Sequence, residues 1–216
     1  MTPAGQPTDL TADELENLLK DPKSGTEFRI LRATRRLLAR EGLGVSIDAI
    51  AVEAELGRRT IFRYFATRDD LIAQALSESL GRFHSQVADA ISESSDLDQW
   101  LVDVVTQLHG SQRRAGVALW QLAASDDEDL SRPIARVNKH RRDTRRVLTQ
   151  SIAQAAWNKA GGNGDAPRSI ELAIALSISS FAVHSLNVDY KAGDDETVKS
   201  VAAMLSAILT KEVAQL

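Results

Sequence analysis

The chain has 216 residues, of which 43% are hydrophobic and 26% charged, with a net charge of −4 and no cysteine. This length and hydrophobicity suffice for one or two domains with buried cores. The lack of cysteine excludes disulfides, thiolate metal sites and cysteine nucleophiles. No apolar run approaches the ~20 residues that span a bilayer, and the polar, acidic N-terminus lacks the basic start and apolar stretch of a signal peptide. We therefore expect a cytoplasmic protein that does not enter a membrane.

The N-terminal segment, residues 1–24, contains four proline or glycine residues and predicts a flexible arm. Thr11 and Glu14 have the spacing of a capping box, which predicts a short extra helix over about 12–20. A longer helix is expected over about 26–41, with an apolar stripe that is interrupted by Thr34. The Thr34 hydroxyl can donate to the carbonyl four residues earlier, which weakens the stripe without breaking it.

Residues 46–68 contain two short helical patterns around a break at residues 55–57. Ser46 is a predicted N-cap, because its hydroxyl can accept a backbone N–H from the first turn of the helix that follows. Gly57 is expected to provide the backbone freedom of the corner. The second helix runs from about Arg58 to Phe65. Two short helices joined by a glycine-containing turn of three to four residues are typical of a helix-turn-helix motif.

The outer face of the second helix is basic and aromatic. Two arginines in the first turn of a helix oppose the helix dipole at a cost of about 0.3–1 kcal/mol each, so local stability does not explain them. An external polyanion does, because a recognition helix presents its N-terminal residues to the major groove, where arginine matches guanine. The alternative interpretation is an ordinary core helix whose basic face is solvated and binds no DNA. The predicted DNA-binding residues are Ser46, Arg58, Arg59, Thr60, Phe62, Arg63, Tyr64 and Arg68.

These motifs resemble the TetR family of bacterial regulators. The resemblance lies in Ile50-Ala51, Ala54, the run from Thr60 to Phe65, and Arg68-Asp69-Asp70-Leu71. It implies a helix-turn-helix domain over 25–72 that binds a double-stranded operator. The chain departs from the family pattern at four positions: Thr34 replaces a usual alanine, Glu55 replaces a frequent glycine, Gly57 replaces a frequent serine, and Phe62 replaces a common tyrosine.

The charge distribution agrees with a DNA-binding domain at this place. Within residues 25–68 nine arginines stand against five acidic residues, a net charge of +4, so the remainder of the chain carries −8. A localised basic face on an acidic protein is the electrostatic footprint of nucleic-acid binding.

The remaining chain, residues 73–216, is predicted to be a larger helical domain for effector binding and dimerisation. Thr67 should cap a long helix that reaches about Ser92 and joins the two domains. Further helices are expected over 97–109, 112–124, 127–160, 166–190 and 194–213. The expected fold is therefore all-α, with a three-helix N-terminal head joined by the long helix to the C-terminal domain. The basic run over 139–146 is interpreted as a solvated helix face.

The expected helix at 166–190 is apolar on nearly every face, so it must be buried on all sides. A wholly internal core helix is one interpretation; pairing with a second subunit is the other, and the family resemblance implies a four-helix homodimer interface. A two-fold dimer also suits a palindromic operator. The predicted interface residues are Ile174, Ile178, Phe181, Val201, Leu205 and Ile208.

An effector pocket is expected in the middle of the C-terminal domain, because ligand sites are mostly apolar with a few convergent polar groups. Each candidate could equally be an ordinary core residue. The candidates are Phe83, Trp100, Leu108, His109, Trp120, Phe181 and His184.

The four histidines show no metal-ligand spacing, and the chain has no phosphate-binding glycine loop or nucleophile elbow. We therefore expect no metal, no cofactor and no enzymatic activity. The leading hypothesis is a ligand-responsive repressor that binds a palindromic operator as a dimer and is released by a small apolar or amphipathic effector. The alternatives are a helical small-molecule-binding protein or enzyme whose head does not bind DNA, and a constitutive DNA-binding protein without an effector.

Overall fold

The computed structural model describes residues 22–92 and 96–215, with the side chains of 25–81 and 96–215. This part of the chain is entirely helical, without a strand, as the sequence predicts. The predicted helix over 12–20 lies outside the described residues. Nine α-helices are present in the described ranges: α1 (Pro22–Glu41), α2 (Ile47–Ala54), α3 (Arg58–Tyr64), α4 (Arg68–Ser92), α5 (Leu97–Ala124), α6 (Arg132–Lys159), α7 (Arg168–Ser177), α8 (Ser180–Val188) and α9 (Asp194–Val213).

The described chain divides into two compact units. The first unit comprises the residues up to Arg82 together with Ala115–Lys139, and the second comprises Phe83–Arg114 and the chain from His140 onward. The predicted boundary at residue 72 differs from this division, because a segment of 25 residues from the middle of the sequence belongs with the N-terminal helices.

The core of the first unit forms where the apolar stripes of α1 to α4 meet. Ile30, Ile50, Ile61 and Leu71 are fully buried there. Thr34 lies in the same core, and its hydroxyl donates to the Ile30 carbonyl at 2.8 Å, as predicted. The later segment adds four apolar side chains to this core, Ala118, Leu122, Ile134 and Val137. It is also tied to the 3₁₀ turn after α1, because the side-chain oxygen of Gln121 accepts the Leu43 N–H at 2.6 Å.

Helix α5 is kinked at Gly116, where φ is 61° and ψ is −145°. Two helices over 97–109 and 112–124 were expected; the helical conformation is interrupted once, at Gly116, rather than at residues 110–111. Glycine is required here for two reasons. An L-residue rarely adopts this backbone conformation, and a Cβ at this position would lie 2.1 Å from the Ala39 carbonyl oxygen.

The second unit is organised around Trp100, Leu108 and Trp157, which are all almost completely buried. The single helix expected over 166–190 is two helices, and this prediction is wrong. Helix α7 ends at Ser177, and Ser179 caps α8 by accepting the Ala182 N–H at 3.0 Å. A serine at the N-cap provides a new helix start inside an apolar run, and the period of the apolar residues does not reveal it.

Among the described residues no single helix is long and apolar enough to cross a membrane. Helices α7 and α8 reach that length and composition together, but they are bent by 45° at the break between them.

Candidate nucleic-acid interface

The turn between α2 and α3 is built by backbone caps. Ser46 accepts the Ala49 N–H at 3.1 Å and starts α2, as predicted. Helix α2 ends at Glu55, which has the left-handed conformation (φ 55°, ψ 45°), while Gly57 is extended (φ −78°, ψ 149°) and caps α3. The prediction that Gly57 makes the corner is therefore wrong: Glu55 does. The signal was the departure from the family pattern at that position, where a glycine is frequent.

Helix α3 is anchored by its inner side chains and exposes its basic ones. Ile61 is fully buried and the following Phe65 is 5% exposed, so the helix cannot rotate without losing both contacts. Four side chains of the outer surface, Arg59, Thr60, Phe62 and Arg63, line a shallow open concavity. Phe62 is 45% exposed although it is a large apolar residue.

The three arginines of α3 differ in their surroundings. The Arg58 guanidinium lies 3.3 Å from an Asp48 carboxylate oxygen, which partly balances its charge. The Arg63 guanidinium stacks over the Tyr64 ring, 5.4 Å from its centre. Arg59 is exposed and makes no hydrogen bond or ion pair with any described residue. Arg59 is therefore the arginine of this helix that has neither an ion pair nor a ring contact within the described chain.

The cap at the start of α4 agrees with the prediction, whereas Arg68 makes contacts within the protein that were not predicted. Thr67 accepts the Asp70 N–H at 3.0 Å and donates its hydroxyl proton to the Asp70 carboxylate at 2.7 Å. Arg68 donates to the carbonyl oxygens of Val45 (2.6 Å) and Leu43, and it pairs with Asp69. Its guanidinium thus holds the turn before α2. A phosphate contact by Arg68 stays a prediction.

Several features predicted for the second unit are placed differently from expectation. Trp120 belongs to the first unit, and the Phe83 side chain lies outside the described residues. Trp100, Leu108 and His109 are buried together in the second unit, whereas Phe181 is 49% exposed and His184 is half-buried. Within the basic run at 139–146, Arg141 is only 8% exposed and Arg145 is half-buried. A solvated helix face was expected for this run, but the run is not uniformly solvated.

The predicted interface residues are mostly internal. Ile174, Ile178, Val201 and Leu205 are between 1% and 8% exposed in the core of the second unit, so they are not available to a partner. The sequence does not separate the two roles, because a core helix and an interface helix have the same apolar period. Ile208 is half-buried and Phe181 half-exposed. The exposed apolar residues of this unit are Leu172, Leu176, Phe181, Val188 and Met204, together with Val147 and Tyr190.

The C-terminal end of α7 has a polar cluster that was only partly predicted. The His109 Nε2 hydrogen-bonds the Ser177 carbonyl at 2.9 Å, and Gln112 donates to the carbonyl of Ile178. Arg145 donates to the Ala175 carbonyl at 2.5 Å. Burial lowers the pKa of His109, to which the charge of Arg113 adds, and burial also lowers the pKa of Arg145. Gln112 and Arg145 were missed, because nothing in the sequence shows that a helix ends beside them.

No group of three or more histidine, aspartate or glutamate side chains able to hold a metal occurs in the described part of the chain. The side chains that converge are instead those of α3 at the surface and those around the end of α7.

These features define a helix-turn-helix protein with a second, wholly helical unit. Residues 30–75 match the model of the family described as "Bacterial regulatory proteins, tetR family", which confirms the resemblance drawn from the sequence.

Solved structures agree on the fold of most of the chain. A TetR-family transcriptional regulator from Streptomyces coelicolor is 22% identical, with a TM-score of 0.64 over 88% of this chain and 97% of that one. A TetR transcription regulator from Haloarcula marismortui is 20% identical (TM-score 0.62; 88% and 98% covered). The regulator FadR from Bacillus subtilis, in complex with stearoyl-CoA, is 16% identical (TM-score 0.59; 85% and 97% covered). No match was found among curated protein sequences.

Proposed function

We propose that this protein is a cytoplasmic transcriptional repressor that binds an inverted-repeat DNA operator as a homodimer and leaves it when a small apolar or amphipathic effector binds. The observation that carries the proposal is the outer face of α3, where Arg59 has no protein partner among the described residues and Phe62 is exposed beside it. An arginine held on a short, well-anchored helix is the arrangement that reads guanine in the major groove.

The DNA-binding part is tested with the full-length protein and a duplex selected from a random pool for tight binding. Arg59→Ala should weaken binding of the selected duplex by about 1–3 kcal/mol while hardly changing binding of a scrambled duplex. The matched control is Arg168→Ala, which removes the same charge from an exposed arginine of α7 that pairs with Glu171. It should change neither affinity.

An equal loss on both duplexes would show that Arg59 does not read bases. Failure to select any preferred sequence at low salt would contradict the repressor proposal altogether, because a non-specific duplex affinity alone does not define an operator.

The homodimer is proposed to form through an exposed apolar face of the second unit rather than through the buried residues named above. Leu172 and Leu176 lie one turn apart on α7 and are 52% and 70% exposed, and α7 packs against α9, where Met204 is 45% exposed. A second copy of the chain is the occupant that fits best, because two-fold symmetry presents two α3 helices to the two halves of an inverted repeat.

The dimer is tested by Leu176→Glu, which places a charge in the proposed contact. It should shift the protein from dimer to monomer in sedimentation at concentrations where the wild type is dimeric, and it should weaken operator binding in parallel. Val52→Glu is the control, because Val52 is an apolar side chain of α2 that is even more exposed, at 79%. If Leu176→Glu remains dimeric, α7 is not in the interface.

Effector release is supported by analogy with the Bacillus subtilis FadR, which was crystallised with stearoyl-CoA, and by the polar atoms at the end of α7. A compound that binds the DNA-free form more tightly must lower the affinity for DNA, since coupling between two ligands is reciprocal. Compounds that raise the melting temperature of the protein without DNA should therefore weaken binding of the selected duplex. If they stabilise the protein and leave DNA affinity unchanged, release by an effector is contradicted.

A further inference from the structure

The cluster at the end of α7 contains side-chain atoms that the fold does not use. The last carbonyls of an α-helix have no partner within the helix. Three of them, at Ala175, Ser177 and Ile178, accept hydrogen bonds from Arg145, His109 and Gln112. These side chains thus cap α7, yet the capping occupies one polar atom each of His109 and Gln112. The other atoms, His109 Nδ1 and Gln112 Oε1, are buried and have no hydrogen-bond partner among the described residues.

Whether His109 Nδ1 and Gln112 Oε1 donate or accept follows from the hydrogen bond that the other polar atom of each side chain makes. A carbonyl oxygen can only accept, so the His109 Nε2 that contacts Ser177 must carry the proton. The neutral ring then has its lone pair on Nδ1. The Gln112 amide donates through its nitrogen to Ile178, which leaves its carbonyl oxygen as an acceptor. Both unused atoms are therefore hydrogen-bond acceptors.

The two acceptors belong to neighbouring side chains. His109 and Gln112 are three residues apart on α5, so they are on the same face of the helix, about 5–6 Å apart at their Cβ atoms. Their partners are the consecutive residues Ser177 and Ile178. A third buried and unpartnered atom, the Thr197 hydroxyl oxygen, belongs to the first turns of α9. That turn reaches α5 through the ion pair of Asp194 with Arg113, the residue after Gln112.

Buried polar atoms in proteins are nearly always hydrogen-bonded, and those that are not call for an explanation. A purely structural cap does not need an unfilled acceptor on each side chain. Arg113 and Arg145 do not fill these acceptors either, because Arg113 pairs with Asp194 and Arg145 donates to the Ala175 carbonyl.

We propose that His109 Nδ1 and Gln112 Oε1 form an acceptor pair that binds the effector through its N–H or O–H groups. The inference rests on the effector part of the proposed function and names the chemical class: an alcohol, phenol, amine or amide whose apolar part packs in the second unit. A carboxylate, phosphate, ketone or ester presented at this pair has no proton to donate, and its lone pairs face those of the protein. His109 Nδ1 and Gln112 Oε1 therefore select effectors that carry an N–H or O–H group over those that do not.

The test uses full-length protein labelled with ¹⁵N at histidine and four matched probes: phenol, aniline, anisole and benzoate. The His109 resonances are assigned by comparison with His109→Gln, and they should report the tautomer protonated at Nε2. Phenol and aniline should shift the Nδ1 resonance of His109 in a saturable way, while anisole and benzoate should not. Gln112→Met, which keeps the length of the side chain, should weaken phenol binding by about tenfold.

The reverse tautomer at His109, equal shifts with anisole and phenol, or no shift with phenol and aniline up to their solubility limits would each overturn the proposal. The probe titration uses wild-type protein without DNA, and only the assignment of the His109 resonances uses a variant, so its outcome does not depend on whether Gln112→Met folds. It also separates two failures: sequence-specific DNA binding without donor selectivity refutes this inference alone, whereas donor selectivity without any preferred DNA sequence refutes the repressor.

Discussion

Replacing Glu55 by glycine should stabilise the protein. Glu55 ends α2 in the left-handed conformation, which costs an L-residue about 1–2 kcal/mol. Glycine removes this cost but adds about 0.5–1 kcal/mol of backbone entropy loss on folding. The carboxylate contributes little in compensation: its nearest cationic nitrogen, on Arg29, is 3.9 Å away, and the Glu55 side chain is 88% exposed. The net gain should be about 0.5–1 kcal/mol in the free energy of unfolding.

The assay is urea unfolding followed by circular dichroism, together with the melting temperature, which should rise by about 1–4 °C for a chain of this size. Glu55→Ala is the matched control, since it removes the same carboxylate but keeps the Cβ and with it the strain. The control should be within about 0.5 kcal/mol of the wild type. If Glu55→Gly is no more stable than Glu55→Ala, the left-handed residue is not strained and the account of the turn is wrong.

Two further substitutions test the fold. Gly116→Ala should cost at least about 2–3 kcal/mol, because the added Cβ would meet a backbone carbonyl at 2.1 Å; Gly164→Ala, also at positive φ but with no atom within 4 Å, should cost only about 1 kcal/mol, and equal losses would contradict the clash. His109, whose pKa is lowered by burial and by Arg113, takes up its proton more readily unfolded, so stability should fall as pH drops below about 6.5. His109→Gln should flatten that slope in unfolding measured between pH 7 and 5.5, and an unchanged slope would show that His109 is not its source.

The caps of the first unit could be predicted because they are local. Ser46 and Thr67 accept the N–H groups of residues three positions later, and Thr34 bonds the carbonyl four positions earlier. Each of these contacts depends only on a residue type and a spacing that the sequence displays. The helix bounds that follow from them, for α2 and α4, therefore agree with the structure.

Features set by distant residues could not be predicted in this way. Gln112 and Arg145 acquire their roles only because α7 ends beside them, 66 and 30 residues away along the chain. Interface residues could not be distinguished from core residues for a related reason, since Ile174 and Leu205 have the same apolar period whether a helix faces its own core or a partner. The solvent exposure of a side chain distinguishes a core residue from an interface residue, and it is known only once the fold is known.

The net charge of residues 25–68 does not reveal which of its charged side chains are paired, and the structure does. The sequence gives residues 25–68 a net charge of +4 and predicts that the arginines of α1 contribute to a broad field. In the structure those arginines are largely balanced within the first unit: Arg35 pairs with Glu78, Arg36 with Glu53, and Arg40 with Glu41.

The balance is different on α3, where only Arg58 has a carboxylate within ion-pair distance among the described residues. Arg59 and Arg63, on the outer face of this short helix, therefore keep their positive charge uncompensated. A diffuse field would attract any polyanion equally, whereas two available guanidinium groups on an anchored helix can select the sequence they contact. The pairing of the α1 arginines thus favours a reader of bases over a general binder of nucleic acid.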